Sequence, residues 1–203
     1  MSIKNLEADL AFIKSTMEIT TRYRNIPAAG YIFAGILGAA GAVATFLIGL
    51  AEEQGAYRLK PEILLYLAVI WGCVLILAVC GAVVFSLMKA KKNGFSPWNS
   101  LAARMFFSQI PMAAVTAVLT AGCIAKGCVE IIPAIWLLSF GVVCHSFSYF
   151  TGNDHKIQGI LFIALGVWAL FAPINVSVIL LGAGFGGVLL VFGFLRLFFD
   201  KRS

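Results

Sequence analysis

The chain has 203 residues, 61% of them hydrophobic and only 12% charged, with a formal net charge of +6 and a mean hydropathy of +0.97. That composition excludes a soluble globular domain, and the lack of apolar/polar alternation argues against a β-barrel. With no basic, aromatic-interleaved soluble surface, nucleic acid is excluded as a partner, and the positive charge reads as a topology signal and an affinity for anionic lipid headgroups.

The pattern predicts an all-α integral membrane protein: a six-transmembrane-helix bundle (26–203) preceded by an N-terminal amphipathic cytoplasmic helix (1–25). The expected spans are 28–51, 63–87, 105–125, 130–150, 157–172 and 176–199, runs of the length that crosses a hydrocarbon core of roughly 30 Å. The first apolar run begins only after Pro27, behind a charged segment, which does not fit a cleaved signal peptide. Six spans put both termini on one side. On that side fall Lys4, Lys14, Arg22, Arg24, Lys89, Lys91, Lys92, Arg104, Lys156, Arg196, Lys201 and Arg202, with only Arg58, Lys60 and Lys126 opposite. The positive-inside rule then predicts a multi-pass membrane protein with both termini in the cytoplasm.

In residues 2–24, Ile3, Leu6, Leu10, Ile13 and Met17 recur at alternating spacings of 3 and 4, a seam suited to packing on the protein's cytoplasmic side or on a partner, the alternatives being a helix in the lipid interface or a free coiled coil. Span 1 is dense in small residues. Gly30, Ala34, Gly38 and Ala42 fall every four positions, and span 6 repeats the theme at Gly182 and Gly186. Such rows let helix backbones approach closely in lipid, either within one chain or between copies. Span 2 carries Cys73 and Cys80, which read as small apolar residues. The basic loop 89–104 ends that span, with Trp98 placed for the interface.

Span 3 has the most polar face: Gln109, Ala113, Thr116, Thr120 and Cys123 recur at helical spacing. Pro111 is expected to break one backbone hydrogen bond there and to turn this stripe inward. Span 4 holds His145, the one titratable residue well inside an apolar run, with Ser148 and Tyr149 one turn on. His145 lies roughly 7–8 Å from the cytoplasmic end and Gln109 roughly 6 Å, by the usual rise per residue. A Gln109–His145 contact is therefore expected, within a polar seam of Gln109, Thr116, Thr120, His145 and Ser148. His155 is placed in a loop, 151–156. Cys123 and Cys128 flank the outer turn, where a disulfide is chemically permitted. Span 5 is short and ends at Pro173, and Asn175 is the expected N-cap of span 6.

Walker loops, HExxH, GxSxG, Cys-rich metal spacings and paired carboxylates are all missing from the sequence, so no catalytic residue, metal site or cofactor is assigned. The stretch Leu10-Ala11-Phe12-Ile13-Lys14-Ser15-Thr16-Met17-Glu18, followed by Ile26-Pro27-Ala28-Ala29-Gly30, resembles a group of uncharacterised small bacterial six-span membrane proteins, as does the Gly182–Gly187 region. That resemblance implies bacterial origin and six spans, and carries no activity. The functional expectation is a non-catalytic interaction or accessory subunit, homo-oligomeric or bound to a membrane protein partner. The alternative is a small transporter or channel for a neutral or lipophilic solute, using the seam between spans 3 and 4.

Overall fold

The computed structural model describes residues 27–51, 61–92, 107–151 and 153–200, and all regular structure among them is helical. The expected amphipathic segment 2–24 and most of the loop 89–104 lie outside the described residues. The helices are α1 (Ala28–Ala51), α2 (Pro61–Lys92), α3 (Ile110–Lys126), α4 (Ile132–Thr151) and α5 (Asn153–Phe171). A last rod follows, made of α6 (Ile174–Gly182), a π-helical segment (Ala183–Val188) and α7 (Leu189–Asp200). A 3-10 turn, Val129–Ile131, leads into α4.

Among the described residues, five rods are long and apolar enough to cross a membrane: Ala28–Ile48, Glu62–Lys89, Val129–Tyr149, Asn153–Phe171 and Ile174–Phe198. The protein is an all-helical bundle of membrane-spanning type. The helix expected as the third span, α3, has 17 residues, about 25 Å of rise. It is apolar, but short against a core of roughly 30 Å.

The interruption expected at Pro111 is present: Phe107 and Ser108 are helical, Gln109 is a turn residue, and α3 starts at Ile110 with Pro111 in its first turn and Ala113 N–H reaching Gln109 O at 2.9 Å. Three expectations are corrected here. Asn175 is not a cap, because α6 already starts at Ile174 with Pro173 before it. The buried Ser177 organises this turn instead, donating its hydroxyl to Ala169 O at 2.9 Å. The fifth span is not short: α5 begins at Asn153 and runs 19 residues. His155 therefore sits in the first turn of a helix, not in a loop.

Neighbouring rods run antiparallel. On α1 and the last rod, Gly38 lies against Phe185, Gly35 against Leu190 and Gly193 against Ile32. Along α4 and α5, the most extensively packed pair, Leu138 meets Gly166, Gly141 meets Ile163, and His145 meets Gly159. A Cβ built on Gly159 would stand 2.7 Å from His145 N and 2.8 Å from Gly141 O, so only glycine permits this approach.

The core is built on the fully buried Leu137 and Phe162, and Phe185, half-buried on the π segment, packs against it. The Phe185 ring lies 5.0 Å from Phe140 on α4, 5.3 Å from Phe162 on α5 and 6.3 Å from Trp71 on α2, centroid to centroid. π-Helical turns are rare and tend to mark positions with a special task. Here that position joins the last rod to three other helices. Lipid is as apolar as these rings, so their association draws on close packing and dispersion rather than on escape from water. Trp71 also has a polar anchor: its indole N–H donates to Thr45 Oγ1 at 3.0 Å, and Thr45 donates to Gly41 O at 2.8 Å.

In contrast, α2 and α3 stand at the margin. The hydrophobic window of α2 contains no buried residue, and its principal neighbour is α1. Thr116 is the one buried residue of α3, which rests mainly on α4.

Candidate functional site

The antiparallel arrangement brings the start of α1, the end of α4, the start of α5 and the end of α7 to one end of the bundle. Lys89, Lys91, Lys92, Lys156 and Arg196 fall at this end, and Lys126 at the other. A polar junction is built there from three helices. Tyr31 Oη on α1 lies 2.7 Å from Nε2 of His155 on α5. Nδ1 of the same ring lies 2.8 Å from Thr151 Oγ1 on α4. Thr151 in turn donates to Phe147 O at 2.8 Å.

Hydrogen-bond accounting fixes the direction of this chain. A threonine hydroxyl has one proton, and that of Thr151 goes to Phe147 O. Thr151 Oγ1 must then accept from His155, so the Nδ1 carries the imidazole proton. In the neutral ring the Nε2 is a bare acceptor, and the Tyr31 hydroxyl donates to it. Each donor and acceptor along the path is satisfied once, and His155 is buried, 3% exposed.

Two charges close the junction. The Arg196 guanidinium lies over the Tyr31 ring, 4.9 Å from its centroid, a cation–π contact. Its Nη2 stands 3.7 Å from Asp154 Oδ2, but the Asp154 side chain is 68% exposed, so this ion pair adds little stability. One turn beyond His155, Gln158 is 1% exposed, and its Nε2 is buried without a hydrogen-bond partner.

The residues singled out from the sequence are distributed differently. Gln109 donates from Nε2 to Ser108 Oγ at 3.0 Å. Thr116 donates to Met112 O and Thr120 to Thr116 O, each at 2.8 Å, so both hydroxyls serve their own helix backbone. Ser148 likewise donates to His145 O at 2.6 Å. His145 meets the edge of Tyr149 at 5.9 Å between centroids, and its Nδ1 is buried with no hydrogen-bond partner. Of the expected Gln109–His145 meeting, direct or through water, the direct hydrogen bond is not formed among the described residues. The stripe does turn inward as expected, Thr116 buried and Gln109, Thr120 and Cys123 half-buried, but helical spacing on one helix does not say which face of α4 meets it. Here Gly159 draws α5 against the backbone of His145.

The small-residue positions lie within the chain's own packing. Gly30 sits beside Ala82 of α2, and Ala34 packs against the core. Gly38 meets Phe185, Gly182 meets Ala42, and Gly186 meets Ala39. Cys123 and Cys128 are both free thiols.

The junction residues Tyr31, Thr151, His155, Gln158 and Arg196 were not singled out as a group by sequence reasoning. A usable signal existed: Thr151 and His155 are four apart, as are Thr151 and Phe147, the spacing of neighbours on one helical face. Gly152-Asn153-Asp154 reads as a loop and hides it.

The chain matches no known protein family, no curated protein and no solved structure.

Proposed function

We propose that this chain is a non-catalytic, multi-pass protein of a bacterial inner membrane that acts as an interaction or accessory subunit, assembling with itself or with another membrane protein. The observation that carries this reading is the contrast between two kinds of small-residue face. Gly38, Gly182 and Gly186 are occupied by the chain's own helices. Gly72 on α2 and Gly122 on α3 have nothing among the described residues within 4 Å of where a Cβ would stand. On α3, Ala113, Ala117, Ala121 and Ala125 follow one another at intervals of four and are all exposed. In lipid, where apolar burial gives no drive, such rows are the usual means by which helices associate.

In this reading α3 is a sixth span, its shortness accommodated by local thinning of the bilayer or by contact with a partner helix. Both termini are then cytoplasmic, and the basic end carrying the Tyr31–His155 junction faces the cytoplasm. The transport alternative draws less support, since the Thr116 and Thr120 hydroxyls are spent on backbone carbonyls.

The test is purification of the full chain in mild detergent, with its mass measured by light scattering and any co-purifying protein identified. A stable dimer or higher species, or a stoichiometric partner, is the expected result. A monodisperse monomer without a partner at all protein concentrations tried would remove the proposal.

A further inference from the structure

We propose that His155 is a proton-operated latch, holding the start of α1 to the α4–α5 turn while its ring is neutral and releasing it when the ring takes up a proton. The argument is the hydrogen-bond accounting of the junction and does not depend on the assembly reading. In the neutral state the Tyr31 hydroxyl donates to Nε2 at 2.7 Å, while the Nδ1–H donates to Thr151. A proton arriving from water can bind only at the Nε2 lone pair, because Nδ1 already carries one. The ring then presents two donors. The Tyr31 O–H can no longer donate to it, and must rotate away and offer its oxygen instead.

The surroundings resist that rearrangement. Among the described residues, the titratable and charged groups around this pair are Tyr31 on α1, Cys144 on α4, Asp154 on α5 and Arg196 on α7. Arg196 lies against the Tyr31 ring, so a charged His155 becomes a second cation in the same junction. Asp154 is the one carboxylate among those groups, and it already stands 3.7 Å from Arg196. Two cations then share one exposed carboxylate, and because α7 packs on α1, drawing the α1–α7 pair away from α5 relieves the repulsion. His145 does not make the equivalent link: its Nδ1 has no hydrogen-bond partner among the described residues.

The position gives the latch a consequence: Tyr31 lies in the first turn of α1, so release frees the opening turns of that helix.

The test uses the full chain in lipid nanodiscs. Amide hydrogen exchange over the first turns of α1 and α5, corrected for intrinsic rates, is followed from about pH 8 to about pH 4, the range that spans histidine titration. In the wild type, exchange should rise roughly five- to tenfold on the acid side, the factor that one ordinary hydrogen bond is worth. Y31F should show the raised exchange at both extremes, and H155Q should lose the pH step. A step of equal size in wild type and H155Q, or none in wild type, would overturn the latch. Should H155Q fail to fold, imidazole ¹⁵N spectra of the H145Q protein, in which His155 is the sole histidine, decide the matter. They must show the Nδ1–H tautomer at neutral pH and one protonation step coincident with the exchange step. An Nε2–H tautomer would end the proposal.

Discussion

Tyr31 Oη and His155 Nε2, 124 residues apart in the chain, meet at 2.7 Å and join the first helix of the bundle to the fifth. Removing the phenol hydroxyl in Y31F leaves Nε2 as a buried acceptor with no donor. The expected cost is about 1 kcal/mol, and H155A, which orphans both Tyr31 and Thr151, should cost about 2–3 kcal/mol. The double variant should lose less than the sum, with a coupling of roughly 0.5–3 kcal/mol. Denaturant titration in mild detergent measures all four states, and strict additivity would show that the pair is not coupled.

The α4–α5 crossing predicts a sharp contrast between glycines. G159A drives a methyl into His145 N and Gly141 O and should destabilise the fold by roughly 1–3 kcal/mol, lowering the unfolding midpoint. G72A meets open space on α2 and should be neutral or stabilising, up to about 1 kcal/mol from helix propensity. Equal midpoints for the two variants would contradict the close approach.

Phe185, which meets aromatic rings of three other helices, should be costly to truncate. In a soluble core F185A would lose about 3–5 kcal/mol; in lipid the transfer part largely disappears and the cavity part stays, leaving roughly 1–3 kcal/mol. F198A, whose parent is 70% exposed near the end of α7, should change stability by less than about 0.5 kcal/mol. The pair can be compared by thermal unfolding in the same detergent.

Assembly through α3 predicts that A117L on its exposed alanine row reduces the assembled fraction at least tenfold, while leaving the helical content and unfolding midpoint unchanged. That factor corresponds to about 1.4 kcal/mol of interface packing. Light scattering across a dilution series reads the fraction, and an unchanged mass distribution would place the contact elsewhere.

Topology can be read from a thiol. Cys128, exposed at the α3–α4 turn, lies at the end of the bundle opposite His155, whereas Cys144 is buried. With the His155 end in the cytoplasm, an impermeant maleimide should label Cys128 from outside intact spheroplasts. C128S should abolish that signal, and Cys144 should react only after unfolding. Labelling of Cys128 only from the cytoplasmic side would invert the orientation.

Hydropathy alone was enough to reveal the helical, membrane-spanning class, because the cost of unpaired backbone groups in lipid leaves few structures open to such a sequence. The segregation of basic residues to one end was equally visible, since charge at a span end needs only the span order to be assigned a side. What the sequence could not decide was which faces meet. The Gln109–Thr116–Thr120 stripe does share a helix face, yet its two threonine hydroxyls turn back to their own backbone. His145 stood out for its depth, while the wired histidine is His155, hidden behind a loop-like Gly152-Asn153-Asp154. The joining of Tyr31, Thr151 and His155, and the placing of Phe185 on a π turn among three helices, depend on residues far apart in the chain. Close approach at Gly38 and Gly159 brings those helices together, and that approach is a property of the tertiary packing rather than of any local periodicity.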